Sequence, residues 1–226
     1  MNSKHTIAAV SVGLVGLLTF AGTASAGDLS VAKTRCDAAI NERQVELDKL
    51  TNQSNAAKNL GAEHRSTIGS IISSSKSGLS DLNTKIDGDT DAATLKADCE
   101  TIYSGFRVFA LRAPQVHLAI VGDRAVALTA RGNTVAAKLD AAIQKAAANG
   151  KDVNDANVKL ADMQAKLADV TSLLNGAVDN ELTFTPGQWN ANHDVLKSSN
   201  TSIRSAHQDL KTAFADAKAI VADLKA

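Results

Sequence analysis

Apolar residues recur along most of the chain at alternating steps of three and four, the spacing that places side chains on one face of an α-helix. Five segments carry such a stripe: residues 29–58, 62–86, 95–143, 160–178 and 189–224. No stretch alternates apolar and polar residues for more than a few positions, as a half-buried β-strand would. The pattern therefore predicts an all-α protein.

Residues that end or begin helices separate the stripes. Asn59–Gly61 and Asn149–Gly150 are predicted stops, because Asn and Gly tolerate the left-handed conformation in which many helices end. We expect a loop over Asp179–Thr185. Thr185–Gln188 then combines a Thr cap, Pro at the first position and Gln at the third, which favours a helix start. A last helix is expected to run unbroken from there to the C-terminus.

The most apolar stretch after the N-terminal leader is residues 102–128. Its apolar positions cover nearly the whole helix circumference, which indicates burial on several sides. Pro114 interrupts it without a cluster of turn residues, and a proline in such a setting kinks a helix more often than it ends one. We therefore predict an antiparallel helical bundle of two three-helix units, residues 27–120 and 121–226, sharing a long central helix kinked at Pro114.

Residues 1–26 have the pattern of a signal peptide. Lys4 is followed by an apolar run from Thr6 to Ala21 and by the small residues of Ala24–Ala26. The run is too short for a mature transmembrane helix, which needs about 20 residues. The alternative is an uncut N-terminal anchor. No second apolar run follows, so we expect no integral membrane segment after cleavage.

Two cysteines, Cys36 and Cys99, remain after the leader. Export places them where disulfides persist, so one bridge is the simplest interpretation. The alternative is two buried thiols, since both fall on apolar faces. If the first helix turns back near Gly61, the two cysteines lie at similar levels on parallel neighbours. If it ran unbroken to Ile86, they would be roughly 60 Å apart at the standard rise per residue. A bridge would thus support the three-helix fold.

Charge and aromatic content argue against several partners. The chain has 24 basic and 24 acidic residues, and aromatic residues make up 3%. A neutral chain with no basic block lacks the electrostatic footprint of proteins that bind nucleic acid or anionic lipid. So few rings also make stacking platforms for bases hard to build.

An acidic turn carries Asp87, Asp89 and Asp91, whose alternate spacing is typical of a calcium loop. These are weak candidates for metal ligands, because the sixth position is Ala92 and the twelfth is Asp98 rather than Gly and Glu. The alternative is an acidic turn that caps the next helix and exploits its dipole. We predict no metal site.

His117 lies in the apolar centre, near Asp123 and Arg124. These three residues are expected to form a buried polar cluster that fixes helix register. The alternative is a ligand site, since buried polar groups in a bundle sometimes bind a partner.

The other histidines give no catalytic pattern. His64 follows Glu63 but lacks the second histidine of a zinc-protease helix. His193 and His207 are expected to lie on the solvated flank of one helix, too far apart to share a metal. No nucleophile elbow, phosphate loop or dinucleotide fingerprint is present, so we predict no enzyme and no cofactor.

Four pieces of the chain carry a resemblance to known proteins. They are KTRCDAAINERQVELDKL, LKADCETIYSGFRVF, APQVHLAIVGDR and TPGQWNANHDVLKSSNTSIRSAHQDLKTAFADAKAIV. The chain resembles a group of exported helical proteins of high-GC Gram-positive bacteria, over most of its length after the leader. The resemblance implies a secreted or wall-associated bacterial protein with its two cysteines bridged. No activity is established for that group, so it assigns no functional residues.

These observations predict a non-enzymatic exported protein that presents a helix surface to an envelope component or to another protein. Apolar seams of this kind also suit self-association as a coiled coil. The alternative function is the binding of a small ligand or ion, at the acidic turn, residues 87–91, or in the apolar centre, residues 102–128.

Overall fold

The computed structural model describes residues 26–225, and over this range the chain is helical with no β-strand. The helices are α1 (Ala26–Ala56), α2 (Ala62–Gly88), α3 (Ala92–Ser104), α4 (Ala113–Ala148), α5 (Asn154–Leu174), α6 (Ala177–Thr183), α7 (Pro186–Ala191) and α8 (Lys197–Lys225). A π-helical turn, Val108–Arg112, leads into α4. The predicted all-α class is confirmed.

The predicted signal peptide lies outside the described residues except for Ala26, where α1 begins. Between residues 26 and 225, no helix is both long enough and apolar enough to cross a membrane.

Buried apolar side chains form two clusters. The first joins α1, α2, α3, the π-helical turn and the start of α4, and it takes Val178 and Leu182 from α6. The second joins the rest of α4 with α5 and α8. Burial of each large side chain contributes about 1.5–3 kcal/mol. The largest fully buried side chains are Leu47, Leu50, Ile68, Leu79, Ile86, Leu95, Ile102, Leu111, Ile143, Met163, Leu167 and Ile220. All of them lie within the five segments that carry the predicted stripes.

The centre of the chain is broken at residues 105–107 rather than kinked at Pro114. After α3 ends, Arg107 has a φ of 47°, in the left-handed region that residues other than glycine rarely occupy. Asn190 of α7 holds the break: its Oδ1 accepts a hydrogen bond from Arg107 Nε (2.6 Å) and its Nδ2 donates to the Ser104 carbonyl (2.9 Å). The prediction of one continuous central helix is therefore wrong. The local sequence pattern could not indicate the break, because Asn190 lies more than 80 residues away in sequence.

Pro114 lies in the first turn of α4, directly after the π-helical turn. A proline in a regular helix lacks an N–H, and its ring clashes with the carbonyl four residues back. Here the N–H groups of Arg112 and Ala113 donate to carbonyls five residues back, those of Arg107 and Val108. The wider turn makes room for the ring, so the backbone stays helical from Val108 to Ala148.

Two predictions for the C-terminal third are also wrong. Most of the expected loop at residues 179–185 is α6, and the expected last helix is interrupted between α7 and α8. The predicted start is confirmed: Thr185 and Gln188 form a capping box. That helix, α7, has six residues and is followed by Asn192 as its C-cap. The side chain of Asn192 accepts a hydrogen bond from the N–H of Asp194. Such local side-chain bonds compete with helix continuation.

Cys36 of α1 and Cys99 of α3 lie at disulfide distance, with their Cα atoms 5.7 Å apart. This separation is in the middle of the range that bridges span. The turn between α1 and α2 returns the chain so that the two residues meet. The structure thus places the predicted pair, Cys36 with Cys99, at bridging distance.

Replacing both cysteines, Cys36→Ala with Cys99→Ala, is expected to lower the free energy of unfolding by about 4 kcal/mol. The physical reason is that the denatured chain regains the freedom of the loop that the bridge closes. Urea unfolding of the oxidised protein and of the double variant, at the same pH, measures the difference. A loss below about 1 kcal/mol would contradict the bridge as a constraint on the unfolded chain.

Candidate functional site

His64, in the first turn of α2, links three helices. Its Nδ1 lies 2.9 Å from both carboxylate oxygens of Asp123 in α4, and its Nε2 lies 2.8 Å from Oδ1 of Asp179 in α6. The His64 side chain is 18% exposed, Asp123 10% and Asp179 68%. A neutral imidazole carries only one N–H, so donating to both carboxylates requires the protonated ring. The geometry therefore indicates an imidazolium between two aspartates.

The protonation of His64 follows from its surroundings. Burial by itself lowers the pKa of His64, but the hydrogen bonds and charges of Asp179 and Asp123 outweigh it and hold the pKa above its ordinary value. Because the pKa is higher in the folded than in the unfolded chain, this stabilisation is complete below about pH 6.5. It is lost as the pH rises through the raised pKa of the folded state.

Asp123 also caps α2. The N-cap residue of α2 is Gly61, which has no side chain to accept a hydrogen bond, and its N–H donates to Asp123 Oδ2 at 2.6 Å. A carboxylate in this place interacts favourably with the positive end of the helix dipole. A Cβ on residue 61 would lie 3.3 Å from that oxygen, so glycine permits the close approach. One side chain of α4 thus fixes the start of α2 and the orientation of His64.

Glu181 of α6 is fully buried, and neither of its carboxyl oxygens has a hydrogen-bond partner among residues 26–225. Burial, together with the charge of Asp123, raises the pKa of Glu181 to about 9. The side chain is therefore neutral at pH 7. The buried place of Glu181 is therefore favourable only while its carboxyl keeps its proton.

The C-terminal end of α6 is held by two side chains. Gln115 Nε2 donates to the carbonyl of Glu181 at 2.6 Å and to that of Phe184 at 3.0 Å. Arg112 Nη1 donates to the Phe184 carbonyl at 3.1 Å and to Gln115 Oε1 at 3.0 Å. These bonds satisfy carbonyls that the end of a helix leaves without intrahelical partners.

An open groove of about 880 Å³ begins at His64, Asp123 and Asp179 and continues between α4 and α5. Apolar and small polar side chains line the rest of it: Val126, Thr129, Ala130, Asn133, Ala168, Thr171, Ser172, Leu174, Asn175, Gly176 and Val178. No aromatic ring is among them. The groove offers hydrogen-bonding groups above an apolar floor, which suits a small polar molecule rather than a flat aromatic one.

A second feature, which we term the aromatic patch, consists of Arg43, Tyr103 and Phe109. The guanidinium carbon of Arg43 lies 4.3 Å from the ring centre of Tyr103 and 5.4 Å from that of Phe109. Arg43 is 7% exposed, whereas Tyr103 is 36% and Phe109 44% exposed. Burial lowers the pKa of Arg43. A buried cation therefore supports two rings that face solvent.

The acidic turn caps a helix, as the alternative interpretation expected. Oδ1 of Asp91 accepts hydrogen bonds from the N–H groups of Ala93 and Thr94. The side chain of Thr94, together with these N–H groups, lowers the pKa of Asp91. Asp89 is buried, and burial with the nearby Asp98 raises its pKa. Asp87 accepts from Lys33 Nζ through its backbone carbonyl. Asp91 thus caps the start of α3, while Asp87 bonds to α1 through its backbone carbonyl.

His117 does not join the expected buried cluster. It is exposed, as is Arg124, whereas Asp123 is buried and bonded to His64. Six residues of helix turn Asp123 about 240° from His117, which places them on different faces. The prediction of a cluster around His117 is wrong.

His193 and His207 are both exposed, as expected, but they do not share a helix. His193 lies between α7 and α8, where its ring contacts that of Trp189 at 5.5 Å between centroids.

The ring of His64 lies between two carboxylates. Both ring nitrogens of His64 face carboxylates, so the imidazole is not paired with a hydroxyl or thiol as an activated nucleophile requires. In residues 26–225, no group of three or more His, Cys, Asp or Glu side chains is placed to hold a metal ion. Comparison with known proteins assigns no family: no family model matches the chain, and no curated protein or solved structure matches it.

Sequence reasoning missed the partners of His64 and the whole of α6. One signal was present: Val178, Glu181 and Leu182 have helical spacing, with an acid on the apolar face. A charged residue on such a face points to an unusual protonation state or a buried partner.

The packing of α6 on α4 depends on Gly122. A Cβ on this residue would overlap Cγ2 of Val178, whose branched side chain has little freedom to move. Gly122→Ala is therefore expected to lower the free energy of unfolding by about 1–3 kcal/mol. Gly69→Ala is the matched control, because Gly69 is exposed within α2 with nothing within 4 Å of an added Cβ. That control should stabilise by about 0.5–1 kcal/mol. Equal effects in urea unfolding would contradict the close contact.

Glu181→Gln tests the buried acid. The wild-type carboxyl is protonated in the fold up to about pH 9 but ionises near its ordinary value when unfolded. Its contribution is thus fully present at acidic pH and declines as the pH rises between these two values. The variant has no proton to lose, so its melting temperature should fall less between pH 5 and pH 9. Parallel melting curves for both proteins would contradict the buried, neutral Glu181.

Proposed function

We propose that the chain is an exported, non-enzymatic α-helical protein that binds a cell-envelope component through the aromatic patch. One observation carries the proposal: the two solvent-facing rings of Tyr103 and Phe109 rest on the buried guanidinium of Arg43. Single exposed apolar residues are common on protein surfaces. Two adjacent exposed rings that rest on a buried cation are less common, and this chain has only one Trp, one Tyr and five Phe from which to build such a feature.

The residue types of the patch support a binding role. Tyr and Arg dominate the energetic centres of protein interfaces, and Phe is enriched there. No carboxylate lies within 4 Å of Arg43 in the described part of the chain, and its one hydrogen bond there goes to the Ala39 carbonyl. Because Arg43 is fixed by this bond and by stacking, the two rings are held in place before binding. Such preorganisation reduces the entropy cost of association.

The backbone beside Phe109 adds to this support. Phe109 lies in the π-helical turn, two residues after the left-handed Arg107. Departures of this kind cost free energy and are frequent at functional sites. The observed strain therefore favours a role for this part of the surface.

We propose two three-helix units, divided near residue 120, as the framework that carries the patch. Support comes from the two apolar clusters and from the contacts of α1, α2 and α3 with one another and of α4, α5 and α8 with one another. Export is supported by the leader pattern and by the paired cysteines, since disulfides persist in oxidising compartments.

The double variant Tyr103→Ala with Phe109→Ala is expected to weaken binding to washed cell walls of the producing bacterium by at least about ten-fold. The reason is that the rings supply most of the apolar area that binding would bury. Val158→Ala with Val221→Ala is the matched control, because it removes two exposed apolar side chains from α5 and α8. Co-sedimentation at increasing wall concentration measures the affinity of all three proteins.

Equal binding by both double variants would contradict the aromatic patch as the binding surface. Absence of binding by the wild-type protein would contradict an envelope partner. If the wild type instead forms dimers that only Tyr103→Ala with Phe109→Ala dissociates, the partner of the patch is a second copy of the chain. Sedimentation velocity makes this distinction.

A second candidate function is the binding of a small polar molecule in the groove beside His64, which its size and mixed lining favour. Native mass spectrometry of protein recovered from the culture medium and the envelope separates the two. A bound small molecule lost on Asn133→Leu would favour the groove, because that change removes a polar wall residue without touching the aromatic patch.

A further inference from the structure

We infer that α6 is a pH-sensitive strap, fastened to α2 by the imidazolium of His64 through Asp179 and released when that ring loses its proton. The inference goes beyond the proposed function and does not depend on it. It rests on the number of N–H groups the ring can offer, on the unequal burial of its two partners, and on the backbone at both ends of α6.

The donor count sets the two states. Protonated His64 donates from Nδ1 to Asp123 and from Nε2 to Asp179. After one proton leaves to solvent, a single N–H remains for two carboxylates. A ring nitrogen without hydrogen cannot donate, and its lone pair then faces an anionic oxygen. One of the two contacts must therefore open.

Unequal burial decides which contact opens. The Asp123 side chain is 10% exposed and also accepts from the N–H of Gly61, so its oxygens are much less hydrated than those of Asp179. The Asp179 side chain is 68% exposed and is readily hydrated. Removing a donor from a buried carboxylate costs more than removing one from an exposed carboxylate. The remaining proton therefore stays on Nδ1, and the Nε2–Asp179 contact is lost.

Non-helical residues bound α6 on both sides, and its C-terminal end is also held by Gln115 and Arg112. Gly176, directly before it, has a φ of 66°, and Phe184, directly after it, is extended. The helix is only seven residues long, so it depends on tertiary contacts rather than on its own propensity. Val178 and Leu182 fasten it to the first apolar cluster, and Asp179 and Val178 form part of the groove wall. Loosening α6 would change the shape of the groove.

Two carboxylates control the protonation of His64. Asp123 from α4 and Asp179 from α6 face His64 directly, and both act to keep its ring protonated. Glu181, also in α6, interacts with Asp123 and loses its own proton only near pH 9. Its ionisation would loosen α6 in a higher pH range, so the two transitions are separable.

Amide hydrogen exchange of residues 180–183 tests the strap, with exchange rates corrected for the intrinsic effect of pH. In the oxidised wild-type protein, protection of these amides should fall by at least about ten-fold from pH 5.5 to pH 8, the factor implied by losing one hydrogen bond to a charged group. In Asp179→Ala, protection should already be low at pH 5.5 and should not change across this range. The exposed Asp179 side chain makes this variant safe for folding.

Two controls isolate His64. His117→Gln removes an exposed histidine of α4 and should leave the wild-type pH profile unchanged. Glu181→Gln removes the other titrating group of α6 and should keep the step between pH 5.5 and pH 8. Nitrogen NMR of the His64 ring should show two protonated nitrogens at low pH and a remaining proton on Nδ1 at high pH.

Either of two results would overturn the strap. One is equal α6 protection at pH 5.5 and pH 8 in the wild-type protein. The other is a neutral His64 that keeps its proton on Nε2, since Asp179 would then stay bound.

Discussion

The packing of α2 against α4, where the two apolar clusters meet, depends on the carboxylate of Asp123. It accepts hydrogen bonds from the start of α2 and from His64, and its charge helps to keep Glu181 protonated. Burying a carboxylate costs several kcal/mol, which is offset only when its oxygens have donors. Here the donors come from residues some 60 positions earlier in the chain. The same bonds that satisfy Asp123 therefore fix how α2 meets α4.

Where α6 packs against α4, polar groups and a glycine make contacts that stabilise the short helix. Gly122 lets Val178 of α6 approach the α4 backbone closely. Gln115 and Arg112 then satisfy the carbonyls at the end of α6. Because α6 is short, it is held by this combination of a close apolar contact, capping bonds and one ion pair. Weakening any of them is felt by the whole segment, which makes it the natural place for a conformational response.

The break at residues 105–107 shows how strain at one position is maintained by another. The left-handed Arg107 is unfavourable in isolation, and the side chain of Asn190 stabilises it by bonds to Arg107 and to Ser104. The π-helical turn that follows accommodates Pro114 and carries Phe109 to the surface beside Tyr103. Arg43 beneath the rings completes the patch from α1. Three separate segments thus build one surface feature.

The sequence by itself determined the helical class, many helix boundaries and most of the core, because burial of one face imposes a periodicity that any single helix displays. It also indicated the pairing of Cys36 with Cys99, since these are the two cysteines of the chain and the leader pattern indicates export to a compartment where disulfides persist. The tertiary structure alone decided the break at Arg107, the helix α6, the protonation of His64 and Glu181, and the assembly of the aromatic patch. Each of these depends on partners distant in sequence, such as Asn190 for Arg107 and Asp179 for His64. Local propensity contains no information about such partners, because the free energy that selects them arises only when distant segments are packed together.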